Sequence, residues 1–305
     1  MYMNGANAPW DKWNDFGGSF DESFWSNHFA TLKSNGINSV RIWISCNGLY
    51  ININDYGEVQ GPTDKFWQDL DKLFTIAENN AIYIISSLMS FDFFRDQGQK
   101  YWAWRKIFDS DWNTDCVVNR YIVSFVKRYK SYNSLWSIDL CNEPDWIYAN
   151  SECGQISWYK LTQLFKKEVN AIHQNTDVPA TIGFAVVKYN NYKYNTDYGS
   201  EVGIDFNSPH FYKWETEWFG LPFETSPKDF GLSDYKPAVI GEFPAYGLTG
   251  SVRNSKYMNP NDCYTNAYYH GWNGIFAWTS NGADTFGDLN KFSEGARKIG
   301  GYLNW

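Results

Sequence analysis

Short apolar runs alternate along this chain with longer stretches in which apolar positions recur every three or four residues. The runs predict eight strands: Tyr2–Ala6, Ile37–Ile44, Ala81–Leu88, Leu135–Cys141, Ala180–Ala185, Gly203–His210, Ala238–Glu242 and Gly274–Trp278. Between them lie helix signals. Asp21 opens a helix over Glu22–Asn35, which Gly36 closes, and Thr63 opens Asp64–Asn79, with Asn80 beyond. Asn113 to Asp115 introduce Cys116–Tyr129, whose Val117, Tyr121 and Phe125 share a face, with Val123 or Ser124 between them. Gln155–Gln174 is long and amphipathic, and the last helix runs from Phe292 to Leu303. The fifth and sixth connections are poorer: Tyr189–Gly199 is rich in Asn and Tyr, and Lys213–Tyr235 reads as an irregular loop.

Strands alternating with helices, with no break in composition, predict one domain over residues 1–305 built on a parallel sheet. Eight such units predict closure into an α/β, (β/α)8 TIM barrel, which takes about 250 residues plus insertions. The chain has 305, of which 43% are hydrophobic, enough for a sizeable core.

Composition narrows the function. The net charge of −8 and the scattered basic residues exclude a nucleic-acid partner, which needs a concentrated basic patch. No stretch approaches the ~20 apolar residues of a membrane span. Sixteen Trp, 22 Tyr and 22 Phe exceed what a barrel core of branched aliphatics needs. Many of these rings sit in polar stretches: Trp102 and Trp104, Trp112, Trp146 and Tyr148, Tyr189 to Tyr194, Trp214 and Trp218. Flat amphipathic rings at a wet surface suit the apolar faces of sugars, though others serve to pack loops on the barrel. Five cysteines are too few for a disulfide scaffold. Cys46 and Cys141, at strand ends, read as buried thiols, and Cys116 and Cys153, in loops on one face, form the candidate bridge. With no Cys-x-x-Cys pair and only four His, of which only His210 is well placed, neither a structural zinc site nor a metal-dependent hydrolase is expected, and no cofactor is implied.

The chemistry concentrates in two glutamates. Glu143 ends the run Leu135-Trp136-Ser137-Ile138-Asp139-Leu140-Cys141-Asn142, and Glu242 ends Pro237-Ala238-Val239-Ile240-Gly241; Pro144 and Pro244 stop each strand. In a (β/α)8 barrel the C-terminal strand ends form the catalytic face. Two carboxyl groups there, one neutral and one charged, are the minimum equipment for cleaving a glycosidic bond with retention.

With Asn142-Glu143-Pro144 in place, the chain resembles the clan A retaining glycosidases, and glycoside hydrolase family 5 in particular, over its whole length. Arg41 in Ser39-Val40-Arg41-Ile42-Trp43 matches the family's arginine on the second strand, and His210 and Tyr212 its His-x-Tyr after the sixth. Glu242 matches the nucleophile on the seventh strand and Trp278 the tryptophan on the eighth. The resemblance implies Glu143 as acid/base and Glu242 as nucleophile. It places Asn142 against the sugar's 2-hydroxyl, Trp278 beneath the ring, and Arg41, His210 and Tyr212 among the substrate-binding residues, which Trp146 and Trp214 join as rings on the catalytic face. Arg41 is expected to hold Glu242 charged, with Tyr212 donating to the same carboxylate, and His210 to orient the acid/base or contact sugar. One departure stands out: many members carry a histidine after the third strand, where this chain has Ser86-Ser87-Leu88-Met89-Ser90, so that its contact is missing or replaced by Asp92.

Asn4-Gly5-Ala6-Asn7 with Trp10, Asp15-Phe16-Gly17, and Asp55-Tyr56-Gly57-Glu58-Val59 are similar to the β-mannanases of that family. The expectation is an endo-β-1,4-mannanase acting on mannan or glucomannan, with several of Trp102, Trp112, Trp146, Trp214 and Trp218 lining an open cleft. A β-1,4-glucanase is the near alternative, since the two sugars differ in one hydroxyl. An exo-acting enzyme and a catalytically silent carbohydrate-binding barrel remain as rivals. The expected partner is a polysaccharide, the expected state a secreted monomer; Met1 is followed at once by strand-like sequence, so a leader is expected to have been removed or left out of this sequence.

Overall fold

The computed structural model describes residues 1–190, 197–214, 216, 220–232, 235–249 and 256–303. Eight strands form its central sheet: β1 Met3–Asn7, β2 Ser39–Trp43, β3 Tyr83–Ser90, β4 Leu135–Asn142, β5 Ala180–Phe184, β6 Ser208–Pro209, β7 Val239–Pro244 and β8 Gly274–Trp278. Their order is β6-β5-β4-β3-β2-β1-β8-β7, every pair parallel. The outer strands β6 and β7 meet through parallel bridges at Asn207–Ala238 and His210–Glu242, with Phe211 N–H donating to the Glu242 carbonyl at 2.8 Å. The sheet thus closes into the expected (β/α)8 barrel. Its seam lies where Glu242 must sit.

Local chemistry explains the helix boundaries. Asp21 accepts from Phe24 N–H at 3.0 Å and starts Glu22–Ser34; Thr63 accepts from Phe66 N–H at 3.3 Å and starts Asp64–Asn80. Each such cap contributes about 1 kcal/mol. Ser110, rather than Asn113 to Asp115, caps the next helix, which runs as Asp111–Val117, a wider turn over Val118–Ile122, and Val123–Tyr129. Trp158–Asn175 and Ser293–Leu303 follow the sequence reading closely.

Two expectations fail. The sixth run was expected as a strand over Gly203–His210, yet only Ser208–Pro209 forms a strand, flanked by single bridges at Asn207 and His210. Tyr198–Val202 is a short helix, and Gly203, at φ +90°, terminates it in a conformation that glycine alone adopts without cost. Pro209 then lacks an N–H for the ladder. The Cys116–Cys153 bridge does not form: all five cysteines are free and buried, Cys116 within Asp111–Val117 and Cys153 in a tight turn over Ser151–Cys153. Cys46 and Cys141 are the buried thiols expected.

The core has three parts, the smallest a cluster of Trp43, Cys46 and Trp278. A large apolar layer fills the space between strands and helices. A small plug of Met3, Ile85, Phe206, Val239 and Phe276 closes one end of the barrel interior. Charged side chains occupy the interior at the other end, where the strands' C-termini emerge.

Candidate active site

The positions that project into the barrel at its C-terminal end carry Asn7, Arg41, Asp139, Asn142 and Glu242, all buried. Arg41 organises them. Its Nη1 donates to Glu242 Oε1 at 2.7 Å and Asn7 Oδ1 at 3.1 Å; its Nε and Nη2 reach Asp139 Oδ2 at 2.9 and 2.7 Å; Nη2 also donates to Asn142 Oδ1 at 2.6 Å. One cation thereby faces two carboxylates, and the planar guanidinium uses its fork to fix all four neighbours. Because Arg41 takes the carbonyl oxygen of Asn142, the amide's NH2 group is left to donate elsewhere.

Glu242 is bonded on both oxygens: Arg41 holds Oε1, and the Tyr212 hydroxyl donates to Oε2 at 2.7 Å. Burial raises its carboxyl above the usual value, while His210, Arg41 and Tyr212 each pull it back toward the ionised form. The sequence reading credited Arg41 with the net direction; burial is the larger influence. Tyr212 is itself pushed well above its ordinary value by burial and by the two carboxylates, so it remains a donor.

Glu143 is arranged differently. Its backbone sits at φ +48°, ψ +55°, a left-handed conformation that costs a non-glycine residue about 1–2 kcal/mol, and its N–H donates to the Gly183 carbonyl at 2.7 Å. This turns the side chain off the strand and into the pocket. Oε1 pairs with His210 Nδ1 at 2.8 Å, and Oε2 accepts from Trp146 Nε1 at 3.0 Å. Burial pushes its pKa up to about 7, against the pull of Arg41 and the Trp146 bond.

His210 is fully buried and its pKa falls to about 4, chiefly through burial, so the ring is neutral at pH 7. Its Nε2 has no partner and is packed on backbone: a Cβ added at Gly183 would lie 2.6 Å from it. A buried lone pair without a partner is tolerated better than an orphaned N–H, so the proton belongs on Nδ1, aimed at Glu143 Oε1, with Glu242 Oε1 3.5 Å away.

These groups open into a cavity of about 250 Å³. Asn142, Glu143, Tyr212 and Glu242 supply its polar wall; Trp43, Phe91, Trp146, Trp214 and Trp278 supply the rest. Trp278 packs with Trp43 and, edge-on, with Trp10, and its Nε1 donates to Asp284. Of the expected site residues, the structure brings Glu143, Glu242, Asn142, Tyr212, Trp278, Trp146 and Trp214 together around this space. Arg41 and His210 do not line this space; they lie behind it, bonded to Glu242 and Glu143.

Trp102 and Trp112 do not line this pocket. Their indole N–H groups turn to Asp55 (3.5 Å) and Glu58 (2.8 Å) on the turn of the hairpin Ile51–Ile53/Val59–Pro62. Trp104 is fully buried, and Trp218, with the rings after residue 190 in that Tyr-rich segment, lies outside the described residues. Asp92 lines a second, more polar hollow of about 600 Å³ with Trp13, Asn47 and Arg95, so it does not stand in for the absent histidine in the catalytic pocket.

Sequence reasoning missed Asp139, Asn7, Trp43 and Phe91. Asp139 was visible as a lone charge inside an apolar strand, and Trp43 as the residue two beyond Arg41, on the same strand face. Among the described residues, Glu143, His210 and Glu242 offer atoms within 4.8 Å of one another, the spacing a metal would need. Arg41 already occupies Glu242 Oε1, and a fixed cation there opposes a second.

No protein-family model matches the sequence. A curated relative, a mannan endo-1,4-beta-mannosidase of Cryptopygus antarcticus, is 24% identical over 326 aligned positions, covering 92% of this chain and 81% of its own. Among solved structures, an endo-1,4-beta-mannanase from Eisenia fetida matches 99% of this chain and 91% of its own at 22% identity, with a TM-score of 0.81. A beta-mannanase from the blue mussel Mytilus edulis matches 100% and 93% at 18% identity, with a TM-score of 0.80. The structural matches establish the barrel, and the sequence match agrees with the motifs read along it. The chain is a (β/α)8 barrel, similar in sequence to a mannan endo-1,4-beta-mannosidase and in fold, from end to end, to solved β-mannanases.

Proposed function

We propose that this protein is a retaining endo-β-1,4-mannanase in which Glu143 is the acid/base and Glu242 the nucleophile. One observation carries the mechanism. Carboxylate oxygens of Glu143 and Glu242 lie within 4.8 Å of one another. Direct attack by a carboxylate needs about 5–5.5 Å between the two groups, whereas an inverting enzyme keeps about 6.5–9.5 Å to admit a water.

The surroundings divide the labour. Glu143, pushed up to about 7, keeps its proton at mildly acidic pH. His210 Nδ1–H meets Oε1 and Trp146 Nε1–H meets Oε2, which fixes the carboxyl at the pocket wall, from where its proton passes to the leaving oxygen. Glu242, with donors on both oxygens, is held in line for attack at the anomeric carbon. The glycosyl–Glu242 ester then forms as the leaving oxygen takes the Glu143 proton. Ionised Glu143 next removes a proton from water, the water oxygen bonds to the anomeric carbon, and the Glu242 bond breaks with its electron pair returning to the carboxylate. Asn142 contributes its free NH2 to the 2-hydroxyl, a bond that strengthens as positive charge develops. Trp278 stacks beneath the ring, while Trp146 and Trp214 flank the pocket.

Mannan is favoured over glucan by the likeness to mannanases along the whole chain. Internal cleavage, action outside the cell and a monomeric state belong to the same reading. Incubation with mannan, glucomannan, carboxymethylcellulose and xylan tests it: viscosity of mannan should fall before reducing ends accumulate, and the first product should keep the β-anomer by NMR. Faster cleavage of carboxymethylcellulose would make the enzyme a glucanase. Release of monosaccharide alone would make it exo-acting.

A further inference from the structure

Three large rings stand out of the surface around one turn. Tyr56 is 78% exposed, Trp112 57% and Trp102 47%. Tyr56 lies at the tip of the hairpin, within the turn Asn54–Glu58; Trp102 lies in the short helix Tyr101–Arg105 and Trp112 in Asp111–Val117. None of the three lines the catalytic pocket.

The two indoles are fixed by their edges. Trp112 Nε1 donates to Glu58 Oε1 at 2.8 Å while Asn54 Nδ2 holds Glu58 Oε2 at 2.7 Å, and Trp102 Nε1 reaches Asp55 Oδ1 at 3.5 Å. The turn is tied to the helices as well: Asn113 Nδ2 donates to the Tyr56 carbonyl and Lys106 Nζ to the Asp55 carbonyl. The Arg120 guanidinium stands 5.6 Å from the centre of one Trp112 ring. Large aromatic faces are therefore exposed at fixed positions, which removes most of the ordering cost of a ligand stacking on them.

What surrounds the rings identifies the ligand. A protein partner's core would bury a continuous apolar patch depleted of charge. Here carboxylates and cations (Asp55, Glu58, Lys106 and Arg120) are interleaved with the rings, offering acceptors and donors at their edges. An apolar face rimmed by hydrogen-bonding edges is the complement of a pyranose ring. Both the hairpin and the helices follow the C-terminal ends of β2 and β3, the end of the barrel that carries Glu143 and Glu242.

We infer that Tyr56, Trp102 and Trp112 form a second binding surface, distinct from the catalytic pocket, for a β-1,4-linked polysaccharide chain. It rests on the proposed function for the class of polymer. Its role is to hold the enzyme on an insoluble chain between cleavage events.

The test compares the parent with Tyr56→Ala, Trp102→Ala, Trp112→Ala and the triple variant, measuring depletion from solution by insoluble mannan and by cellulose powder, and kcat/KM on soluble mannohexaose. Retention should fall about fivefold per ring, and further in the triple variant, with kcat/KM on mannohexaose unchanged. Undiminished retention on both solids would overturn the inference, as would a parallel loss of kcat/KM, which would place the rings in the catalytic path. Sedimentation supplies a further check: a parent that self-associates and a triple variant that does not would make the patch an interface between copies. A parent that cleaves soluble glucan in place of mannan refutes the proposed substrate, not the surface, because the adsorption on cellulose still reads the rings directly.

Discussion

The C-terminal ends of β4 and β7 carry the same residue and do opposite things with it. At the end of β7, Glu242 stays in regular extended backbone, buried, with a donor on each oxygen. At the end of β4, Glu143 leaves the strand through a left-handed residue and meets only a neutral imidazole and an indole N–H. Burial raises both carboxyl groups, but at Glu242 a bonded guanidinium and phenol offset part of that rise, whereas at Glu143 weaker donors leave the pKa at about 7. The lesson is that residue type supplies the candidate and the neighbours assign the role.

Substitutions can break that contrast. Glu242→Ala should remove turnover on every substrate, activated or natural, by at least about 10⁴-fold, the scale of a lost nucleophile. Glu143→Gln should lose about 10²–10⁴-fold on mannan, which needs a proton donor. An aryl glycoside with a good leaving group should still form the covalent intermediate in this variant; pre-steady-state release of the phenol reads that step. Azide should rescue Glu143→Ala with retained configuration. Equal loss of the first step on both substrates would remove Glu143 from the acid role.

Smaller changes sharpen the contrast. Asp139→Asn leaves Arg41 with one carboxylate, and breaking a buried pair in this way costs about 3–5 kcal/mol, visible as a lower Tm. For pH, Glu143 must be protonated, so kcat/KM should fall as pH rises through about 7. Glu242 must be ionised, and its raised pKa sets the acid limb above the ordinary glutamate range. Tyr212→Phe removes a bond that favours the Glu242 anion, so the acid limb should move to higher pH by about one unit. Trp146→Phe removes the indole donor to Glu143, so the alkaline limb should also rise, by a few tenths of a unit.

Most of this was legible before any coordinate. Seven of the eight barrel strands fall close to their apolar runs, because a strand buried on both faces must be apolar throughout. The sixth was overextended, since a run of small and apolar residues around Gly203 reads alike as strand or as helix end. The two glutamates were marked by the prolines that stop their strands. Asp139 and Asn7 were passed over because their work, holding Arg41, is a long-range contact no local pattern encodes. Which of the tryptophans would line the pocket was not legible: sequence gives the segment a ring belongs to, and bonds to Asp55 and Glu58 hold Trp102 and Trp112 at the hairpin. The cysteine pair failed for the same reason, since two thiols in neighbouring loops need a defined approach to bridge.

The central claim is that Glu242 attacks and Glu143 protonates. Its most direct test is incubation with an activated 2-deoxy-2-fluoro-β-mannoside, followed by proteolysis and mass spectrometry. The account predicts time-dependent inactivation and a single fluoroglycosyl adduct on the peptide that contains Glu242. An adduct on Glu143 or another carboxylate, or no adduct from an enzyme that still releases the leaving group and gives an inverted product, would contradict it.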